Sequence, residues 1–174
     1  LDAEPVQFEF DGIANLQNFF FTDGKLRFET PSMERLLSWL GTEIVPGNSV
    51  GQMSMAARLT TKDDQLKFSD VLLEIEGNKA SGVLDLSRAM EVPALSGTLA
   101  FEELDLASFM RAFSTGPATR NGAGSLGYLD QFQLDLRLSA ATARIGSLGL
   151  TNLAAAVRVK DGSADFDLGD AAAL

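Results

Sequence analysis

Apolar and polar residues alternate along most of this chain with a period of two. Phe132, Leu134, Leu136 and Leu138 are interleaved with Gln133, Asp135, Arg137 and Ser139. Leu153, Ala155, Val157 and Val159 follow the same rule, and Ala164, Phe166 and Leu168 alternate with Asp165 and Asp167. Near the start, Val6, Phe8 and Phe10 alternate with Gln7, Glu9 and Asp11, and Met53, Met55, Ala57 and Leu59 form a weaker run. Period two puts every second side chain on one face of an extended strand. Strands with one apolar and one polar face are half-buried and antiparallel, whereas parallel strands buried on both sides read as continuous apolar runs. The pattern predicts about nine or ten such strands. Leu66 and Phe68 open a further run whose phase slips at Asp70–Val71, after which Val71, Leu73 and Ile75 carry the apolar positions. A slip of one residue predicts a β-bulge.

Turn chemistry supports a meander. Asp-Gly pairs at Asp11-Gly12, Asp23-Gly24 and Asp161-Gly162, and Gly77-Asn78, supply the positive φ that tight hairpins need. The clearest hairpin joins Ala154–Lys160 to Ser163–Leu168. A loose repeat of glycine, any residue, leucine, any residue, apolar residue recurs at Gly24–Phe28, Gly82–Leu86 and Gly97–Phe101, and reads as short strands that each open with glycine. Two short helices interrupt the strands. Thr30 caps the first, Pro31 occupies its first position and Gly41 closes it, with Met33, Leu36, Leu37 and Leu40 on one stripe. The second starts near Asp105 and repeats that spacing at Leu106, Phe109, Met110 and Phe113. The expected fold is therefore mainly β: an antiparallel, curved meander sheet, groove- or sandwich-like, with two short α-helices. Residues 1–113 form the β-rich region with both helices. Residues 114–125, rich in Gly, Ser, Thr and Pro, form a flexible loop, and residues 126–174 form C-terminal hairpins of the same sheet.

Composition narrows the chemistry. The 174 residues contain 14 Lys+Arg against 24 Asp+Glu, a net charge of −10, with no His and no Cys. Thiol nucleophiles, disulfides, thiolate metal sites and imidazole bases are excluded. Nucleic acid is a poor partner for so acidic a chain, because affinity for it comes from Lys and Arg on phosphates. No apolar run reaches the roughly 18 residues of a membrane helix. The chain begins with Leu1 rather than Met, and we read it as a piece of a longer protein.

Candidate motifs are weak. Gly122-Ala-Gly124-Ser-Leu-Gly127 matches a dinucleotide fingerprint as a string, but no strand precedes it and no helix follows. Asp165, Asp167 and Asp170 are calcium-like residue types, but strand alternation gives a polar face rather than a wrapped loop of oxygens. Lys62-Asp63-Asp64 reads as a polar turn. Nothing supplies a serine with a base, so no enzyme activity, cofactor or metal is expected. What remains is the apolar face. It can be the core of two sheets packed about 10 Å apart, or a partly filled groove that accepts acyl chains. Ten residues are the candidates for acyl contact: Phe8, Phe10, Phe68, Leu84, Leu99, Phe101, Leu134, Leu136, Val157 and Phe166. On the groove reading Leu136→Asp removes lipid uptake and leaves the fold intact.

Phe28-Glu-Thr-Pro-Ser-Met-Glu-Arg-Leu-Leu-Ser-Trp-Leu-Gly41, the Pro46-Gly47 loop, the strands Gly82–Leu86 and Gly97–Phe101, and Leu104-Asp105-Leu106 leading into a short apolar helix together resemble the AsmA family. Asp135–Ser139, Leu148–Leu153 and Val157–Gly162 resemble its closing hairpins. The resemblance implies a non-enzymatic periplasmic protein anchored in the inner membrane by one N-terminal helix. It further implies a role in phospholipid transport toward the outer membrane, along an apolar β-sheet groove, with envelope assembly proteins as possible partners. It transfers no catalytic residue. The anchor is missing from this chain, and Ser114–Ser125 is shorter than the family's variable insert. The alternatives are a purely structural module, a spacer or assembly surface of the envelope, and an outer-membrane barrel fragment. The barrel is disfavoured by a single Trp and a single Tyr, because such barrels carry aromatic girdles.

Overall fold

The structure is a computed structural model that describes residues 7–15, 20–31, 52–89, 92–111, 133–160 and 163–173. Among the described residues, nine strands make one open mixed sheet, in spatial order identical to chain order. They are β1 (Gln7–Asn15), β2 (Phe20–Thr30), β3 (Met53–Lys62), β4 (Gln65–Ile75), β5 (Asn78–Ser87), β6 (Ala94–Asp105), β7 (Gln133–Ile145), β8 (Leu148–Lys160) and β9 (Ser163–Ala173). One short helix, α1 (Leu106–Arg111), follows β6.

The pairing is not antiparallel throughout. β6 and β7 run parallel, Ala94 against Gln133 through Asp105 against Arg144. Parallel neighbours need a crossover of a dozen or more residues, and residues 106–132 supply it. This pairing joins the C-terminal hairpins to the rest of one sheet. Of the two expected helices, α1 is present. The other, at Thr30–Gly41, lies outside the described residues beyond Pro31, as do the loop 114–125 and the Gly122–Gly127 string.

The turns divide. Lys62 and Gln65 flank a tight turn with Asp63 at φ 53°. Glu76 and Gly77, at φ 50° and 78°, turn the chain between Ile75 and Asn78, one residue earlier than Gly77-Asn78. Lys160 pairs with Ser163, as a two-residue hairpin at Asp161-Gly162 requires. Asp11-Gly12 and Asp23-Gly24 are not turns, because they lie inside β1 and β2 with Gly12 opposite Gly24. A methyl at Gly24 would sit 2.6 Å from the Asp11 carbonyl oxygen and 2.6 Å from Phe10 Cζ. The missing side chain is what lets the Phe10 ring lie across the strand pair. Glycine likewise fails to open β5 and β6: Gly82 and Gly97 sit mid-strand, where the neighbouring backbone leaves no room for a Cβ.

The phase slip is a bulge. Register shifts between Phe68 and Val71, with Asp70 at φ 52°. A second bulge occurs in β8, where Asn152 has φ 53° and pairing to β9 shifts. Asp and Asn tolerate this left-handed region better than other non-glycine residues. Each bulge restores apolar residues to the same face after the strand has drifted.

Register threads that face across the sheet. One rung runs Gly12, Gly24, Leu59, Phe68, Leu84, Gly97, Leu136, Val157 and Phe166, a residue from every strand. A second runs Phe8, Phe28, Met55, Leu73, Ala80, Phe101, Ala140 and Leu153. The buried apolar cluster lies on this face between β3 and β8, takes Leu73, Ala80, Leu84, Phe101, Leu136, Ala140 and Leu153 from these rungs, and adds neighbours such as Val71, Leu99, Leu138 and Leu104 together with Leu106 and Phe109 of α1.

Candidate functional site

All ten residues singled out from the alternation lie on this one face. Phe8 opposes Phe28, and Phe10 opposes Leu26. Phe68, Leu84, Leu136, Val157 and Phe166 share the nine-strand rung. Leu99 stands between Gly82 and Leu138, Phe101 between Ala80 and Ala140, and Leu134 between Leu95 and Val159. Eight inter-strand spacings of about 4.8 Å make the apolar ribbon roughly 38 Å across.

Solvent access varies along it. Leu99, Phe101, Leu84 and Leu136 are buried, at 3%, 4%, 6% and 6% exposure. Phe10, Phe68, Leu134 and Val157 are half-buried. Phe8 and Phe166, on the outermost strands, are 46% and 39% exposed. The centre of the ribbon is filled, and its margins are open. Leu168, 49% exposed, is a margin residue outside the expected set. It opposes Ala155 and continues the alternation of Ala164 and Phe166, which was the signal that could have included it.

Helix α1 closes the ribbon where β6 ends. Phe109 meets Phe101 edge to face, centroids 5.5 Å apart at 81°, a geometry worth about 0.5–1.5 kcal/mol beyond area burial. A polar knot fixes the helix there. Buried Asn78 donates from Nδ2 to the Ile75 carbonyl at 3.1 Å and to Ser108 Oγ at 2.9 Å. Its Oδ1 accepts from the Asp105 amide at 2.7 Å. Asp105 caps α1, its Oδ1 accepting from the Ser108 amide at 3.0 Å. Its Oδ2 accepts from Arg144 at 2.7 Å. The Arg144 guanidinium, then the Ser108 amide, hold the Asp105 carboxyl below its ordinary pKa, and the Arg144 pKa is raised in return. The Gly77-Asn78 pair reads as a turn in the sequence. Nothing in the local sequence marks Asn78 as a buried connector to residues 27 to 30 positions away.

Shallow troughs cross the polar face. One, of about 650 Å³, crosses β5 to β9 and is floored by small residues including Ser81, Ala100, Ser139, Ala154 and Ala156, with Arg137 and Asp167 at its rim. Another, of about 410 Å³, crosses β1 to β4 around Ala56. Asp165, Asp167 and Asp170 are exposed on that same face. No group of three or more metal-ligating side chains occurs among the described residues. Every buried side-chain polar atom among them has a hydrogen-bond partner. No described helix is long and apolar enough to cross a membrane. Comparison of the chain with family models, curated proteins and solved structures finds no match.

Proposed function

We propose that this chain is a non-enzymatic lipid-handling module of the AsmA kind, which holds phospholipid acyl chains against the apolar ribbon. The observation that carries this reading is a face that stays apolar across nine strands and opens to solvent at its margins. Phe8, Phe166 and Leu168 are exposed there on the same side as the buried centre. Each buried CH₂ is worth about 0.8 kcal/mol. Moving a chain from bilayer to an apolar face that fully covers it is therefore nearly neutral, as a conduit requires. The −10 charge opposes adsorption of the polar exterior to anionic membranes, leaving the ribbon as the contact. In the full-length protein the module would be periplasmic, tethered to the inner membrane by an N-terminal anchor, and would serve outer-membrane biogenesis alongside envelope assembly proteins.

The test is uptake of fluorescent phospholipid by delipidated protein at micromolar concentration. Phe166→Asp with Leu168→Asp is expected to weaken uptake by about tenfold or more, since each side chain contributes about 1.5–3 kcal/mol when fully buried. Absence of uptake by the unaltered protein would defeat the reading. It would leave the second one, a structural spacer or assembly surface, which the buried centre at Leu99, Phe101 and Leu136 favours.

A further inference from the structure

β9 is an edge. No described strand pairs with its outer side, so ladder groups along Ser163–Ala173 point away from the sheet. On its apolar face Phe166 and Leu168 are 39% and 49% exposed. Backbone and apolar side chains thus present a half-made strand pair.

The polar face shows what would complete it. Across β7, β8 and β9 one rung reads Asp135, Arg158, Asp165. Arg158 Nε lies 3.8 Å from Asp135 Oδ1. The sign alternates strand by strand and stops on an acid. Asp167 faces Ala156 and Asp170 faces Ala154, so neither has a cation directly across the ladder. Three aspartates therefore stand on the outermost strand with one arginine opposite them.

We propose that β9 is a docking edge for an extended polypeptide segment whose residues alternate between apolar and Lys or Arg. It adds a tenth strand. Its apolar residues continue the ribbon beyond Phe166 and Leu168, and its cations continue the alternation beyond Asp165, Asp167 and Asp170. A second copy of this chain is a poor occupant, because antiparallel β9–β9 pairing centred on Phe166 sets Asp165 against Asp167, and like charges directly opposite destabilise a ladder.

The experiment uses the whole chain and an eleven-residue peptide alternating valine and lysine, the length of β9. The peptide is expected to bind and to slow amide hydrogen exchange in β9 before any other strand. A valine–glutamate peptide, or the lysine peptide N-methylated at alternate residues on its pairing edge, is expected to bind about tenfold more weakly or worse. The chain carrying Asp165→Lys, Asp167→Lys and Asp170→Lys is expected to reverse the preference between the two charged peptides. Mixed with the unaltered chain, it is expected to form a one-to-one pair in sedimentation, while each alone stays monomeric. An unaltered melting curve shows that the variant folds. Equal binding of both charged peptides, indifference to N-methylation, or a mixture that stays monomeric would overturn the proposal and leave the aspartates as a guard against edge-to-edge aggregation. Because these substitutions lie on the polar face, uptake of a zwitterionic phospholipid, which the change of surface charge neither attracts nor repels, stays unchanged in the triple variant, so this test and the uptake test fail separately.

Discussion

Asn78→Ala should release α1 from the end of the ribbon. Asn78 is 5% exposed and makes three short hydrogen bonds, to the Ile75 carbonyl, Ser108 Oγ and the Asp105 amide, at 3.1, 2.9 and 2.7 Å. A net hydrogen bond is worth about 1 kcal/mol, and a polar group left buried without a partner costs about 1–3 kcal/mol. The bond to the Ile75 carbonyl is buried and those to Ser108 and Asp105 are part-buried, so the expected loss is about 3 kcal/mol. For a chain of this size that lowers Tm by roughly 6–12 °C. Urea unfolding followed by circular dichroism measures it, with the m-value unchanged. Asn78→Asp keeps the acceptor for Asp105 but turns the donor into an anion facing the Ile75 and Glu76 carbonyls. Its deficit should exceed that of alanine at neutral pH and narrow as acid protonates it. A loss below about 1 kcal/mol for Asn78→Ala would refute the view that this side chain ties the β4–β5 hairpin to the helix.

Leu136→Asp, which the sequence alone suggests as a clean probe of lipid contact, should instead unfold the chain. Leu136 is 6% exposed, and a carboxylate there costs several kcal/mol, whereas Phe166→Asp at the margin should melt within a few degrees of the parent. Gly82→Val should disrupt the β5–β6 pair, since a Cβ at Gly82 collides with the Thr98 carbonyl, and hydrogen exchange of β5 amides is the readout. The Asp105 carboxyl is held below its ordinary value of 3.8 by Arg144. Its contribution is therefore present at neutral pH and lost as pH falls through that lowered value. Arg144→Ala should shrink this acid-side loss, seen as a flatter Tm profile below about pH 4.

Alternation made the sheet legible because side-chain period, not long-range contact, decides which face a residue takes. The bulge at Asp70 was readable for the same reason, as a change of phase. Three features escaped it. The parallel β6–β7 pairing leaves no mark on period two, since both strands keep one polar face exposed. Its only trace is the long stretch between Asp105 and Gln133, which an antiparallel hairpin does not need. Asp11-Gly12 and Asp23-Gly24 carry turn chemistry but serve packing, because Gly24 makes room for the Phe10 ring. The filling of the ribbon's centre depends on tertiary packing of Leu99, Phe101 and Leu136, which the pattern leaves undetermined. The ten candidate side chains were found on one face, while the gradient from buried to exposed along it was not foreseeable.

The central claim is that hydrocarbon lies on the apolar face of this sheet. A phospholipid carrying a photoactivatable group in its acyl chain, loaded into the unaltered protein and irradiated, tests it by peptide mass spectrometry. The account predicts adducts on apolar-face residues of the margins, with Phe166 and Leu168 foremost. Adducts on the polar-face troughs around Ala56 or Ala156, or none at all, would contradict it.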